Sequence, residues 1–359
     1  MKQSIFSALS WRVEARAASL SAVDGGRLRN RCGNAMRLLG AHRTLPDIPD
    51  RAVILCFHGV TERRLDPDIE CDVLTLPAFR QLLDVLDRSF NVVSLAEMVE
   101  ALVQGHALPP RCITITFDDG YANNARLAAE ELAARKMPWS VFLPAGLIES
   151  GGWQWVDDVR VLLQRGSRKQ LQFHWEASDL LLDLRTPKLR LQAVRTVHEA
   201  CRYVSEAVRR IRLGELYACY SEDEIASARE QYPAFAPMTW NQARELQSAG
   251  VDIGNHSYSH IALAPQPTDL IHQEVASARD LIQQRLGGYH PHFSYPYGRP
   301  EAISPQAEAI IREAGYRCAV TLEQNTIDFR HPNLLQLPRL IVSTDVGRVL
   351  FGLWQRFIR

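Results

Sequence analysis

Short runs of β-branched and other apolar residues recur along the chain between longer stretches whose apolar positions return every three or four residues. Residues 52–57 (Ala-Val-Ile-Leu-Cys-Phe) and 113–117 (Ile-Thr-Ile-Thr-Phe) are too short for helices and predict buried strands. Shorter runs at Val251 and Ile253, before Ser294, and from Leu337 to Val342 predict further strands. Residues 156–230 break this rhythm. They are rich in Leu, Arg, Glu and Ala at helical spacing, with one long helix expected over 188–213 and a capped helix start at Ser221-Glu-Asp-Glu. The strand-and-helix pattern resumes at Met238. Residues 1–48 and 346–359 read as amphipathic helix, basic at the first end and aromatic against arginine at the second.

Three places combine a strand end with reactive side chains. The run 113–117 stops at Asp118-Asp119-Gly120, two adjacent carboxylates that raise one another's pKa unless a cation relieves them. A cation on one leaves the other free as a base. Read blandly, Asp-Gly marks a turn. Next, Gly254 leads into Asn-His256-Ser-Tyr-Ser-His260, with two imidazoles four residues apart. On a helical turn they would share one face. With Asp119 they make a two-His, one-carboxylate set that leaves positions open for water and substrate, the catalytic rather than structural type of metal site. The third place is Tyr295-Pro296-Tyr297-Gly298, a forced turn where the Tyr297 N–H could meet a bound oxygen.

These pieces, in this order, resemble the three leading motifs of the polysaccharide deacetylases (carbohydrate esterase family 4, the NodB-homology domain). The resemblance spans roughly residues 50–345 with an insertion. It implies an α/β fold, a distorted (β/α) barrel, and hydrolysis of N-acetyl or O-acetyl groups on sugars with one divalent ion. Zn2+ is the expected ion, with Co2+ or Ni2+ as alternatives. The expected domains are an N-terminal helical extension (1–48), the barrel (49–345, with a helical insertion over 156–235) and a C-terminal amphipathic helix (346–359). The implied roles are Asp119, His256 and His260 as metal ligands, Asp118 as general base and the Tyr297 N–H at the oxyanion.

Three departures stand out. Ser294 occupies the place of the family's third-motif Arg, residues 321–330 lack the Asp-Trp pair of the fourth motif, and the late segment Leu337-Pro-Arg339-Leu lacks the fifth-motif His that serves as acid. His58, just after the first strand, is the expected replacement acid, as in the poly-N-acetylglucosamine deacetylase-like branch. Arg339 is the expected replacement for the missing Arg, holding Asp118 ionised.

Composition narrows the partners. Acidic and basic residues number 41 each, which argues against nucleic acid as an obligatory partner. Seven scattered cysteines without a C-x-x-C pair suit a reducing compartment. No run reaches the roughly 18 apolar residues of a membrane span. A cytoplasmic location, peripheral to the inner membrane through the terminal helices, is therefore expected, with a lipid- or nucleotide-linked acetylated sugar or glycan as substrate. The rival readings are an amidase acting on a small non-sugar amide, a catalytically inactive glycan-binding relative, and a non-haem iron oxygenase, which leaves Asp118 without a role.

Overall fold

The computed structural model describes residues 22–38, 45, 47, 51–175, 178–323, 327 and 329–358. Among the described residues eight parallel strands form the barrel sheet, a short one (Asn91–Val92) pairing beside Cys112–Ile113 and seven running round the ring: β1 (Ala52–Phe57), β2 (Cys112–Phe117), β3 (Trp139–Leu143), β4 (Asp252–Asn255), β5 (His292–Ser294), β6 (Cys318–Val320) and β7 (Arg339–Ile341). Their order is β6-β5-β4-β3-β2-β1-β7. The ring closes just ahead of β7, where the Leu337 N–H donates to the Ala319 carbonyl and the Leu337 carbonyl accepts from the Thr321 N–H, both at 2.9 Å. The distorted (β/α) barrel is thus the fold the chain adopts.

Every residue of β1, β2 and β3 is buried, as expected of strands covered by helices outside and side chains inside. Register then sets the working rim. Phe57 pairs with Phe117 across β1 and β2, their rings stacked at 4.9 Å, and the Asp118 N–H donates to the Phe57 carbonyl at 2.9 Å. Strands ending level with one another put the next residues, His58 and Asp118, on one rim, the C-terminal end at which such barrels carry their chemistry.

The segment between β3 and β4 differs from the expected all-helical insertion. Residues Gln170–Trp175 and Ser178–Asp183 form an antiparallel hairpin. Its first strand alternates exposed and buried residues, a period of two within helical surroundings. The expected helix over 188–213 is two helices, Pro187–Arg202 and Glu206–Tyr217, because Ser205 caps the second by accepting the Val208 N–H. The capped start at Ser221 forms, with reciprocal bonds to Glu224. Val159, Leu163, Val197 and Leu216 give this segment its own apolar cluster.

At the other end, helix Val346–Ile358 buries Val349, Phe351, Leu353, Trp354 and Phe357 in the main core. Its apolar face therefore packs into the main core. Helix Ala22–Leu38 crosses it at Gly33, where a Cβ would collide with the Gly347 carbonyl. Residues 1–21 of the expected N-terminal helix lie outside the described residues. Among the described residues no helix is long and apolar enough to cross a membrane.

Candidate active site

Asp118 and Asp119 leave β2 in different directions because Asp119 adopts the left-handed backbone region, φ 72°, followed by Gly120 at φ 60°. The strain of a non-glycine residue there separates two carboxylates that would otherwise crowd. Asp118 turns into the barrel and Asp119 towards the histidines.

Asp118 is 2 % exposed, and the fully buried Arg339 grips it bidentately: Nη1 donates to Oδ1 at 2.8 Å and Nη2 to Oδ2 at 2.6 Å. The Ser294 hydroxyl donates to the same carboxylate at 3.2 Å while accepting from Arg339 Nη2 at 2.9 Å. Burial alone would raise the Asp118 pKa, but the Arg339 charge, with His256 nearby, outweighs it and carries the carboxyl down to about 2. Ser294 stands where the resembling motifs carry arginine, and a guanidinium from β7 fills the space its short side chain leaves.

Asp119, His256 and His260 converge. Asp119 Oδ1 lies 3.5 Å from His256 Nε2 and 3.3 Å from His260 Nε2, and the two rings are 4.8 Å apart. The expected helical turn is absent. The segment is irregular, with Ser257 at φ 63° and His260 at φ 53°, and the Asn255 side chain accepts the Ser257 N–H at 2.7 Å. His256 Nδ1 lies 2.7 Å from the Ser294 carbonyl. A carbonyl only accepts, so Nδ1 carries the proton and Nε2 presents its lone pair to the centre. His260 Nδ1 is buried without a partner among the described residues. A carboxylate and imidazole nitrogens within 4.8 Å of one another, all buried, fit a divalent cation.

His58 belongs to a second group, with Cys56 and Asp118, whose polar atoms also lie within 4.8 Å of one another. It is half-buried at the same mouth. Tyr297, at φ 61°, packs its ring 4.9 Å from His260. Its hydroxyl accepts from Trp155 Nε1 at 2.8 Å, and burial pushes its pKa up to about 12, so it stays neutral. No acceptor among the described residues takes its backbone N–H. Trp153 and Trp155 are both buried, packing within the protein rather than standing open to sugar rings.

Sequence reasoning passed over three supporting groups. Cys56, two residues before His58 on β1, donates to Asp118 Oδ2 at 3.4 Å. Ser294 serves twice, through its hydroxyl and its carbonyl. Glu274, buried on helix Thr268–Leu286, accepts the N–H groups of Tyr258 and Ser259 at 3.0 and 2.8 Å and so braces the histidine loop. A glutamate on the buried face of a helix was the available signal for the last.

Residues 220–319 match the family model described as polysaccharide deacetylase, a span that holds His256, His260 and Tyr297 but neither the Asp118-Asp119 pair nor Arg339. The Streptococcus pyogenes deacetylase PplD superposes with a TM-score of 0.54 at 15 % identity, over 83 % of this chain and 94 % of that one. IcaB from Ammonifex degensii gives 0.54 at 20 % identity, over 85 % and 97 %. BC0361, a polysaccharide deacetylase from Bacillus cereus, gives 0.50 at 12 %, over 82 % and 66 %. No curated protein matches the chain. The barrel is thus of the polysaccharide deacetylase type. The family match bears out the resemblance over the second and third motifs, and the superpositions bear out the barrel.

Proposed function

We propose that this protein is a metal-dependent hydrolase that removes N-acetyl groups from a glycan or glycan precursor. The observation that carries the proposal is the juxtaposition of the Asp119–His256–His260 cluster with an Asp118 locked by Arg339. A binding module has no use for a buried, ionised carboxylate beside a ligand set that already has its own.

A divalent ion on Asp119, His256 and His260 would supply Lewis-acid polarisation of the attacking water and of the acetyl carbonyl. In this reading Asp118, held ionised and oriented by Arg339 and Ser294, takes the proton from the water. The Tyr297 N–H stabilises the developing oxyanion. His58, on the strand next to that of Asp118, gives a proton to the departing sugar nitrogen, which leaves poorly as an amide anion. The seven free cysteines, four of them buried, support a reducing compartment and with it a lipid- or nucleotide-linked precursor.

The test is acetate release from N-acetylglucosamine oligosaccharides and from lipid- and nucleotide-linked N-acetyl sugars. It uses metal-stripped protein before and after Zn2+ addition, with Asp118→Asn as control. Metal-restored release that the variant loses supports the proposal. No release from any sugar, despite stoichiometric Zn2+ binding, transfers it to an amidase of small non-sugar amides.

A further inference from the structure

The segment between β3 and β4 delivers a cation to the mouth of the barrel that the chemistry above does not use. Arg202, in the last turn of helix Pro187–Arg202, holds its guanidinium carbon 5.6 Å from the centre of the Tyr297 ring. That ring is itself 4.9 Å from the metal-binding candidate His260. Tyr203 closes the same corner edge-on, 6.0 Å from Tyr297. Nearby Arg209 is accounted for: it pairs with Glu206 at 2.6 Å and leans on the His260 carbonyl at 3.5 Å. Arg202 is different. No carboxylate among the described residues pairs with it, and its Nε is buried with no acceptor. A helix-end arginine would ordinarily turn back to its own last carbonyls. Here the side chain lies over Tyr297 instead.

We propose that Arg202 is the recognition residue of an anionic subsite beside the catalytic centre, which binds a carboxylate or phosphate carried by the N-acetylated saccharide. The inference rests on the deacetylase reading and deepens it. A guanidinium fork matches the paired oxygens of either group, and a half-buried cation without a carboxylate partner among the described residues gains most from meeting one. The surrounding charges do not oppose it. Arg339 neutralises Asp118, Glu206 neutralises Arg209, and a divalent ion held by Asp119, His256 and His260 would add positive charge at the mouth.

The experiment uses the Zn2+-loaded full chain and three substrates: neutral di-N-acetylchitobiose, N-acetylglucosamine 1-phosphate, and an N-acetylglucosamine–glucuronate disaccharide. The two anionic arms separate phosphate from carboxylate. In Arg202→Ala, kcat/KM for an anionic substrate relative to the neutral one should fall about tenfold or more, the size of a lost charge-assisted hydrogen bond. The loss should come mainly through KM, and Arg202→Lys should recover part of it. Equal losses on all three substrates, as a packing role over Tyr297 would give, overturn the proposal, and so does an unchanged ratio. If no substrate turns over, calorimetric binding of the anionic sugars to Asp118→Asn, with and without Arg202→Ala, decides. Arg202-dependent binding upholds the subsite while the deacetylase reading fails, and indifference to Arg202 overturns the subsite.

Discussion

Arg339 and Asp118 lie 221 residues apart in the chain, yet meet through two parallel hydrogen bonds of 2.8 and 2.6 Å, with both side chains buried. The guanidinium leaves from the first residue of β7 and reaches the residue just beyond β2, passing the Thr116 hydroxyl at 3.2 Å. The pair both fixes the direction of the carboxylate and holds its charge.

Breaking that pair from one side should destabilise the fold. Arg339→Met leaves Asp118 buried without compensation, a change that costs about 3–5 kcal/mol in comparable pairs. Adding Asp118→Asn should recover much of the loss. Urea denaturation of the two single variants and the double variant measures the coupling, and additive losses would contradict it.

Asp118→Asn alone should keep metal content and lose turnover by a factor of about 10² to 10⁴, the range for a positioned base. Metal analysis alongside acetate release separates this from a ligand role. Loss of the metal in the variant would reassign Asp118.

Chelation should lower the melting temperature and Zn2+ should restore it. A ligand at 100 times its Kd stabilises the folded state by about 2.7 kcal/mol. His256→Ala and His260→Ala should abolish the Zn2+-induced shift. A shift that survives in both would place the ion elsewhere.

His58→Asn should lower kcat by about 10² or more through loss of the proton donor, with metal stoichiometry unchanged. An unaltered kcat would move the acid to another residue of the mouth.

The inserted segment carries an acid-sensitive element of its own. His198 is buried, 2.9 Å from the Val156 carbonyl through Nε2, and burial, with Arg160 and Arg202 nearby, drops its pKa from 6.5 to about 3. The unfolded chain binds a proton near pH 6.5 that the folded chain refuses. The stability held above that pH is therefore lost progressively as pH falls towards 3, by about 1.4 kcal/mol per unit. His198→Gln, which keeps an N–H for Val156, should flatten the decline between pH 7.5 and pH 5 in urea titrations. An unchanged slope would mean that His198 does not set it.

Much of the site was legible because its members are neighbours in the chain at strand ends. Asp118 and Asp119 follow a run of β-branched residues, and His256 and His260 sit four residues apart after a strand-ending glycine, so residue type, spacing and position all bear on one chemistry. The barrel strands were legible for a related reason: residues buried on both faces read as continuous apolar runs. The same local reading misplaced the two histidines on a helix, because nothing in their spacing distinguishes a helical turn from a loop with two positive φ angles.

What the chain decided by itself is therefore the list of reactive side chains and the strands that end in them, since both follow from short-range pattern. What only the tertiary structure decided is their pairing. The Ser294 hydroxyl under the Arg339 fork, the His256 proton on the Ser294 carbonyl, the Glu274 brace and Arg202 over Tyr297 all join residues from separate elements. Barrel closure and the packing of the inserted helices bring them within hydrogen-bond reach. Contacts of that range depend on register and on the direction of each side chain, which no single stretch of sequence contains.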